Sequence, residues 1–136
     1  MSRVIALDYG KKRTGIAVTD PLKIIANPLE TVETQRLFDF LKSYFEREEV
    51  EAIVLGYPRK LDMTDTNTTQ DVLQLEKRLK KSFPAKNVVL QDERLTSRMA
   101  LDAMIRGGMK KKDRRIKGNV DRISATLILQ EYLERN

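Results

Sequence analysis

Three acidic residues far apart in the chain, Asp8, Glu93 and Asp121, each stand where a regular element is expected to begin or end. Asp8 closes the apolar run Val4-Ile5-Ala6-Leu7 and is followed at once by Tyr9-Gly10-Lys11-Lys12-Arg13-Thr14-Gly15. Glu93 closes a second run, Val88-Val89-Leu90-Gln91-Asp92, and Asp121 opens the last expected helix, just after a strongly basic stretch. Carboxylates at strand ends beside lysine and arginine point to metal-dependent chemistry on a phosphate backbone. Two like charges at ~4 Å repel by ~4 kcal/mol at an effective dielectric of 20, so such a cluster calls for a cation. A pair of divalent ions roughly 3.5–4 Å apart would relieve the repulsion and clamp the attacking and leaving oxygens of an in-line displacement.

Each acid alone has a bland explanation. Asp8 could end a strand at a turn, Glu93 could pair with Arg94, and a helix N-terminus favours an acid such as Asp121 by ~0.3–1 kcal/mol. The case rests on the three together. Gly10-Lys11-Lys12-Arg13 has two readings as well, an ordinary hairpin turn or a turn that sets Lys12 or Arg13 on a substrate phosphate. It is not a P-loop, because no Gly-x-x-x-x-Gly-Lys-Ser/Thr leads into a helix.

Composition narrows the chemistry. The 136 residues contain neither cysteine nor histidine. Disulfides and thiolate sites are therefore excluded, and zinc catalysis or a Ser-His mechanism is disfavoured. Any metal must be hard and oxygen-liganded, Mg2+ or Mn2+. Net charge is +6, with 26 basic and 20 acidic residues. Arg106 to Arg122 holds eight basic residues, Arg106, Lys110, Lys111, Lys112, Arg114, Arg115, Lys117 and Arg122, against Asp113 and Asp121. That segment accounts for the whole excess and predicts a polyanionic partner. No apolar stretch approaches the ~20 residues of a membrane span, and the expected location is the cytoplasm. Few residues look free for base stacking, Tyr9 and Tyr57 at most, so shape recognition is expected over base reading.

The elements that must position these residues follow from periodicity. The expected strands are Val4 to Asp8, Thr14 to Thr19, a third within Ile24 to Val32 bent by Pro28, the buried run Ala52 to Gly56, and Asn87 to Asp92. Leu37, Leu41, Tyr44 and Phe45 recur at helical spacing, predicting a helix over Gln35 to Glu48. A capping box at Thr68 and Asp71 predicts a second helix carrying Val72, Leu75 and Leu79, ended by Pro84. Thr96 is the expected cap of a third helix reaching Arg106 and stopped by Gly107-Gly108. Asn119 is the expected cap of a last helix with Val120, Ile123, Leu127, Ile128 and Leu133 on its apolar face. No linker or repeat interrupts the chain, so one domain over residues 1–136 is expected. Three meander strands followed by alternating α/β units match an RNase H-like fold. This is an α/β architecture with a five-stranded mixed sheet, order 3-2-1-4-5, and helices on both faces. Ligand chemistry then belongs at the carboxyl ends of the parallel strands, with Gly56 adding no side-chain bulk between Asp8 and Glu93.

Taken together, the motifs resemble the YqgF/RuvX family of Holliday-junction-resolvase-like proteins over about Val4 to Leu133. They are Asp8-Tyr9-Gly10-Lys11-Lys12-Arg13-Thr14-Gly15 running on to Asp20, Gly56-Tyr57-Pro58-Arg59-Lys60-Leu61-Asp62, Asp92-Glu93-Arg94-Leu95-Thr96-Ser97, and Asp121 with Ala125 and Ile128-Leu129. Leu61 and Met63 stand where the family usually has Met and Gly, and Ser124 stands where Ala is common. Authentic junction resolvases carry a second acid at the position of Ser124. The resemblance implies a metal-dependent phosphodiesterase acting on structured RNA, in maturation of the 5′ end of the small-subunit ribosomal RNA precursor. It places the acids on Asp8, Glu93 and Asp121, with Asp8 bridging two ions and the others holding one each. Lys12, Arg13, Arg94 and the basic segment Lys110, Lys111, Lys112, Arg114, Arg115 and Lys117 would hold flanking phosphates. Cleavage of branched DNA and noncatalytic nucleic-acid binding are the alternatives, and either a monomer or a homodimer is expected. An actin-like nucleotide-binding fold shares the opening strand-turn-strand, but 136 residues leave no room for its two lobes.

Overall fold

A computed structural model describes residues 2–57, 67–92 and 117–135. Strand β1 (Arg3–Asp8) turns back into β2 (Arg13–Thr19), and β3 (Ala26–Glu33) completes the meander. A 3-10 turn (Thr34–Arg36) leads into α1 (Leu37–Arg47), followed by β4 (Val50–Tyr57), α2 (Asn67–Ser82), β5 (Asn87–Asp92) and a long helix here named α3 (Lys117–Arg135). The sheet order is β3-β2-β1-β4-β5. β1 is antiparallel to β2, which is antiparallel to β3, while β1, β4 and β5 run parallel. This is the expected mixed sheet, with β1 at its centre.

The two-residue period of a strand sorts side chains onto opposite faces, and the core divides accordingly. Ile5 and Leu7 of β1, Ile16 and Val18 of β2, and Ile53 and Leu55 of β4 pack with Leu37, Leu41 and Tyr44 of α1 and Val72, Leu75 and Leu79 of α2. On the other face, Val4 and Ala6 of β1, Ala17 of β2, and Ala52 and Val54 of β4 pack with Ala125, Ile128 and Leu129 of α3. Alanines supply much of this second layer, so the helix backbone lies close over the sheet. The branched chains of the first layer each contribute about 1.5–3 kcal/mol of burial.

Several boundaries differ from expectation for identifiable reasons. Pro28 does bend the third strand. Ile16 pairs with Glu30 and Ala17 with Pro28, leaving Leu29 as the extra residue of a bulge. The helix after β3 starts at Leu37 because Thr34–Arg36 forms a 3-10 turn first. Helix α2 begins at Asn67, so Thr68 is already inside it and is not its cap. Helix α3 begins at Lys117, two residues before Asn119, and Asp121 is its fifth residue, past the first turn. Its buried stripe is Ser124, Ala125, Ile128 and Leu129, with Leu127 and Leu133 only half-buried. The expected helix from Thr96 to Arg106 and its Gly107-Gly108 stop lie outside the described residues.

Candidate active site

Asp8 is the last residue of the central strand, at the carboxyl end shared by β1, β4 and β5. By strand alternation it belongs with Val4 and Ala6 on the face covered by α3. Its cross-strand partner on β2 is Gly15. On β4, Leu7 pairs with Leu55, which sets Gly56 at the level of Asp8 on the other side. The half-buried carboxylate thus stands between two positions that carry no side chain.

The turn from Tyr9 to Lys12 carries the neighbouring charges. A Cβ on Gly10 would meet the Arg13 carbonyl oxygen at 2.5 Å, so this close approach of backbone to backbone requires glycine. Thr34 holds the turn from across the sheet: its N–H donates to the Lys12 carbonyl at 2.9 Å, and its hydroxyl donates to the Gly10 carbonyl. Lys11, Lys12 and Arg13 line an open groove of about 510 Å³ with Glu33 and Gln35. Arg13 and Glu33 are cross-strand partners, and the Gln35 amide donates to the Glu33 carboxylate at 2.9 Å. The groove thus carries three cationic side chains facing the Glu33 carboxylate and the Gln35 amide.

Tyr9 lies on the opposite face. Its ring packs against the core under α1 and α2 and lines a small cavity of about 100 Å³ with Asp71, Gln74 and Arg78. Burial pushes its phenol above the usual tyrosine value, the Asp71 carboxylate adds to this, and Arg78 opposes it. The sequence-based suggestion that Tyr9 is free for base stacking is therefore corrected: its ring belongs to the inner face of the sheet.

On α3, the Ser124 hydroxyl is buried with no hydrogen-bond partner among the described residues. Position 121 lies one helical turn before Ser124 and Ala125. Of Asp121 and Lys117 only the backbone, within α3, is described. Glu93, Arg94, Lys110, Lys111, Lys112, Arg114 and Arg115 lie outside the described residues. Among the described residues no three acids gather into a metal-binding group, and Asp8 is the one expected ligand whose side chain is described. Gln91, two residues before Glu93, is buried and its amide reaches Glu131 of α3 at 3.4 Å, so that edge of β5 also faces α3. The sequence reading missed Thr34, Glu33 and Gln35. Thr34 acts through contacts 20 or more positions away, and no local pattern marks it.

Among known proteins, a curated relative from Phocaeicola vulgatus named "Putative pre-16S rRNA nuclease" is 51% identical over 98% of this chain and 96% of its own. One of the same name from Christiangramia forsetii is 50% identical over 98% of both. Among solved structures, T. thermophilus RuvC in complex with a Holliday junction substrate superposes with a TM-score of 0.57 at 20% identity. That match covers 99% of this chain and 96% of RuvC, and it establishes the shared RNase H-like fold. The family model described as "RuvX: Holliday junction resolvase" matches residues 2–135, and the chain belongs to the RuvX family.

Proposed function

We propose that this chain is a metal-dependent endonuclease that hydrolyses phosphodiester bonds in structured RNA, with the precursor of 16S ribosomal RNA as substrate. Membership of the family makes it a nuclease, a hydrolase of phosphodiester bonds. The observation that carries the site assignment is the position of Asp8. It ends the central strand on the α3 face, between Gly15 and Gly56. A strand face continued past Gln91 would bring Glu93 to the same side, and the helical period sets position 121 on the side of Ser124 and Ala125. Asp8, Glu93 and Asp121 would then converge from β1, the end of β5 and α3.

The donor set fits a hard cation, since carboxylate oxygens are offered and histidine and cysteine are absent from the chain. Bound there, Mg2+ or Mn2+ supplies Lewis-acid polarisation of the scissile phosphate and activation of water. The protein's own share is orientation and charge. Asp8 would hold the cation at the carboxyl end of the central strand, and Lys12 and Arg13 hold an adjacent phosphate in the groove beside it. Arg94 and the basic residues Lys110, Lys111, Lys112, Arg114, Arg115 and Lys117 extend that contact along the strand. The proposed setting is a single domain in the cytoplasm; no helix among the described residues is long and apolar enough to cross a membrane.

A cleavage assay with Mg2+ on precursor RNA and on four-way junction DNA tests the proposal. Wild type should cut the RNA, and Asp8→Ala should cut more than about a hundredfold more slowly, since even outer partners of a metal ligand are worth 10–100-fold. RNA affinity should fall by about 0.7–0.9 log units per log unit of salt for each phosphate neutralised. Equal cutting by Asp8→Ala and wild type would overturn the site. The family description favours a second reading, action on branched DNA, which a product from the junction and none from RNA would establish.

A further inference from the structure

We infer that Thr34 is a positioning residue for this site, holding the phosphate-binding turn in fixed register with Asp8; the inference rests on the nuclease reading. Residues 9–12 lie between β1 and β2 and have no ladder of their own to hold them. Thr34, the first residue after β3, supplies two hydrogen bonds to that turn. Its N–H donates to the Lys12 carbonyl at 2.9 Å, and its hydroxyl donates to the Gly10 carbonyl. A hydroxyl has one proton, and that of Thr34 is committed to Gly10. The contact of 3.0 Å between the Thr14 and Thr34 hydroxyls is therefore donated by Thr14, which is fully buried in β2. The result is a relay from Thr14 to Thr34 to Gly10, all of it neutral.

The relay joins the groups the reaction needs in one frame. Gly10 is two residues from Asp8, and Lys12 and Arg13 line the basic groove with Gln35, the residue after Thr34. The turn is also tight, since a side chain on Gly10 would meet the Arg13 carbonyl oxygen at 2.5 Å. Without the Thr34 hydroxyl, the Gly10 carbonyl loses its anchor and the Thr34 N–H alone ties Thr34 to the turn that carries Lys11 and Lys12. A displacement of ~1 Å in such a frame can cost ~100-fold in rate.

Thr34→Val keeps the shape and the N–H but removes the hydroxyl, and Thr34→Ser keeps the hydroxyl. Thr34→Val should lower kcat on precursor RNA about tenfold or more with KM within about twofold, an unchanged pH profile, and recovery to within about twofold in Thr34→Ser. Should Thr34→Val not fold, the double variant Thr14→Val/Thr34→Val leaves no hydroxyl stranded and reads out the same loss. Amide exchange at Thr34, whose N–H donates to the Lys12 carbonyl, should quicken severalfold in the valine variants and not in the serine variant. Cleavage by the valine variants within twofold of wild type, or equal impairment of the serine variant, would overturn the inference. If wild type cuts no RNA, the reading of RNA as substrate fails by itself, and unchanged exchange in the valine variants would separately remove the clamp.

Discussion

The two connections of the meander use an aspartate in contrasting ways. Between β2 and β3, Asp20 consumes its carboxylate locally. It accepts from the N–H groups of Leu22 at 3.1 Å, Ile24 at 2.9 Å and Ile25 at 2.8 Å, and the Lys23 N–H bonds its carbonyl. The Ile25 N–H holds its pKa below the usual carboxylate range; desolvation opposes this, and the Ile24 and Leu22 N–H groups add to the lowering. Lys23 takes a left-handed conformation, φ 60°, to complete the loop. Between β1 and β2, the turn after Asp8 is fixed by Thr34 from a distant part of the chain. A carboxylate that organises its own loop is structural, whereas the turn after Asp8 is braced by Thr34 from outside.

The sharpest test of this contrast is a double dissociation. Asp8→Ala should remove cleavage and leave the melting temperature nearly unchanged; Asp20→Ala should lower the melting temperature and leave kcat within about twofold, as expected for a change far from the chemistry. An inactive Asp20→Ala with wild-type stability would break the comparison. The sign of the pH dependence also separates the two. Asp20 has a depressed pKa in the folded state, so its stabilisation is fully present above the ordinary carboxylate value. It is lost as pH falls through the depressed value. Melting curves of Asp20→Ala should therefore converge on wild type under acid conditions.

Gly10→Ala should cost about 1–3 kcal/mol in chemical denaturation, because the new Cβ must displace the Arg13 carbonyl. A neutral result would show that the turn is slack. A smaller effect of opposite sign is expected at Ser124, whose buried hydroxyl has no partner among the described residues. Ser124→Ala should raise stability by about 1 kcal/mol, from relief of an unsatisfied group and better helix propensity. The Lys23–Glu51 ion pair, 2.6 Å long but with both side chains over 40% exposed, should matter least. Lys23→Met is expected to change stability by less than about 1 kcal/mol.

Most of the sheet was legible because its signals are local. The runs in β1, β4 and β5 are apolar and short, and Pro28 announces the irregularity in β3. Helix α3 was harder, since Ile123, Leu127, Ile128, Leu129 and Leu133 surround it and blur the period. Only the packing of Ala125, Ile128 and Leu129 on the small side chains of the sheet selects the buried stripe. Asp8 could be found from the run it terminates. Thr34 could not, because a threonine at a strand end is unremarkable until the fold brings Gly10, Lys12 and Thr14 to it.

Strict alternation along β1 has a further consequence for how this chain tolerates insertions and deletions. Removing one residue between Arg3 and Leu7 would turn the β1 side chains beyond the deletion to the opposite face, carrying Asp8 toward α1 and α2. Removing two would keep every side chain on its proper face and only shorten the strand. Length changes in this strand should therefore be survivable in even steps and fatal in odd ones.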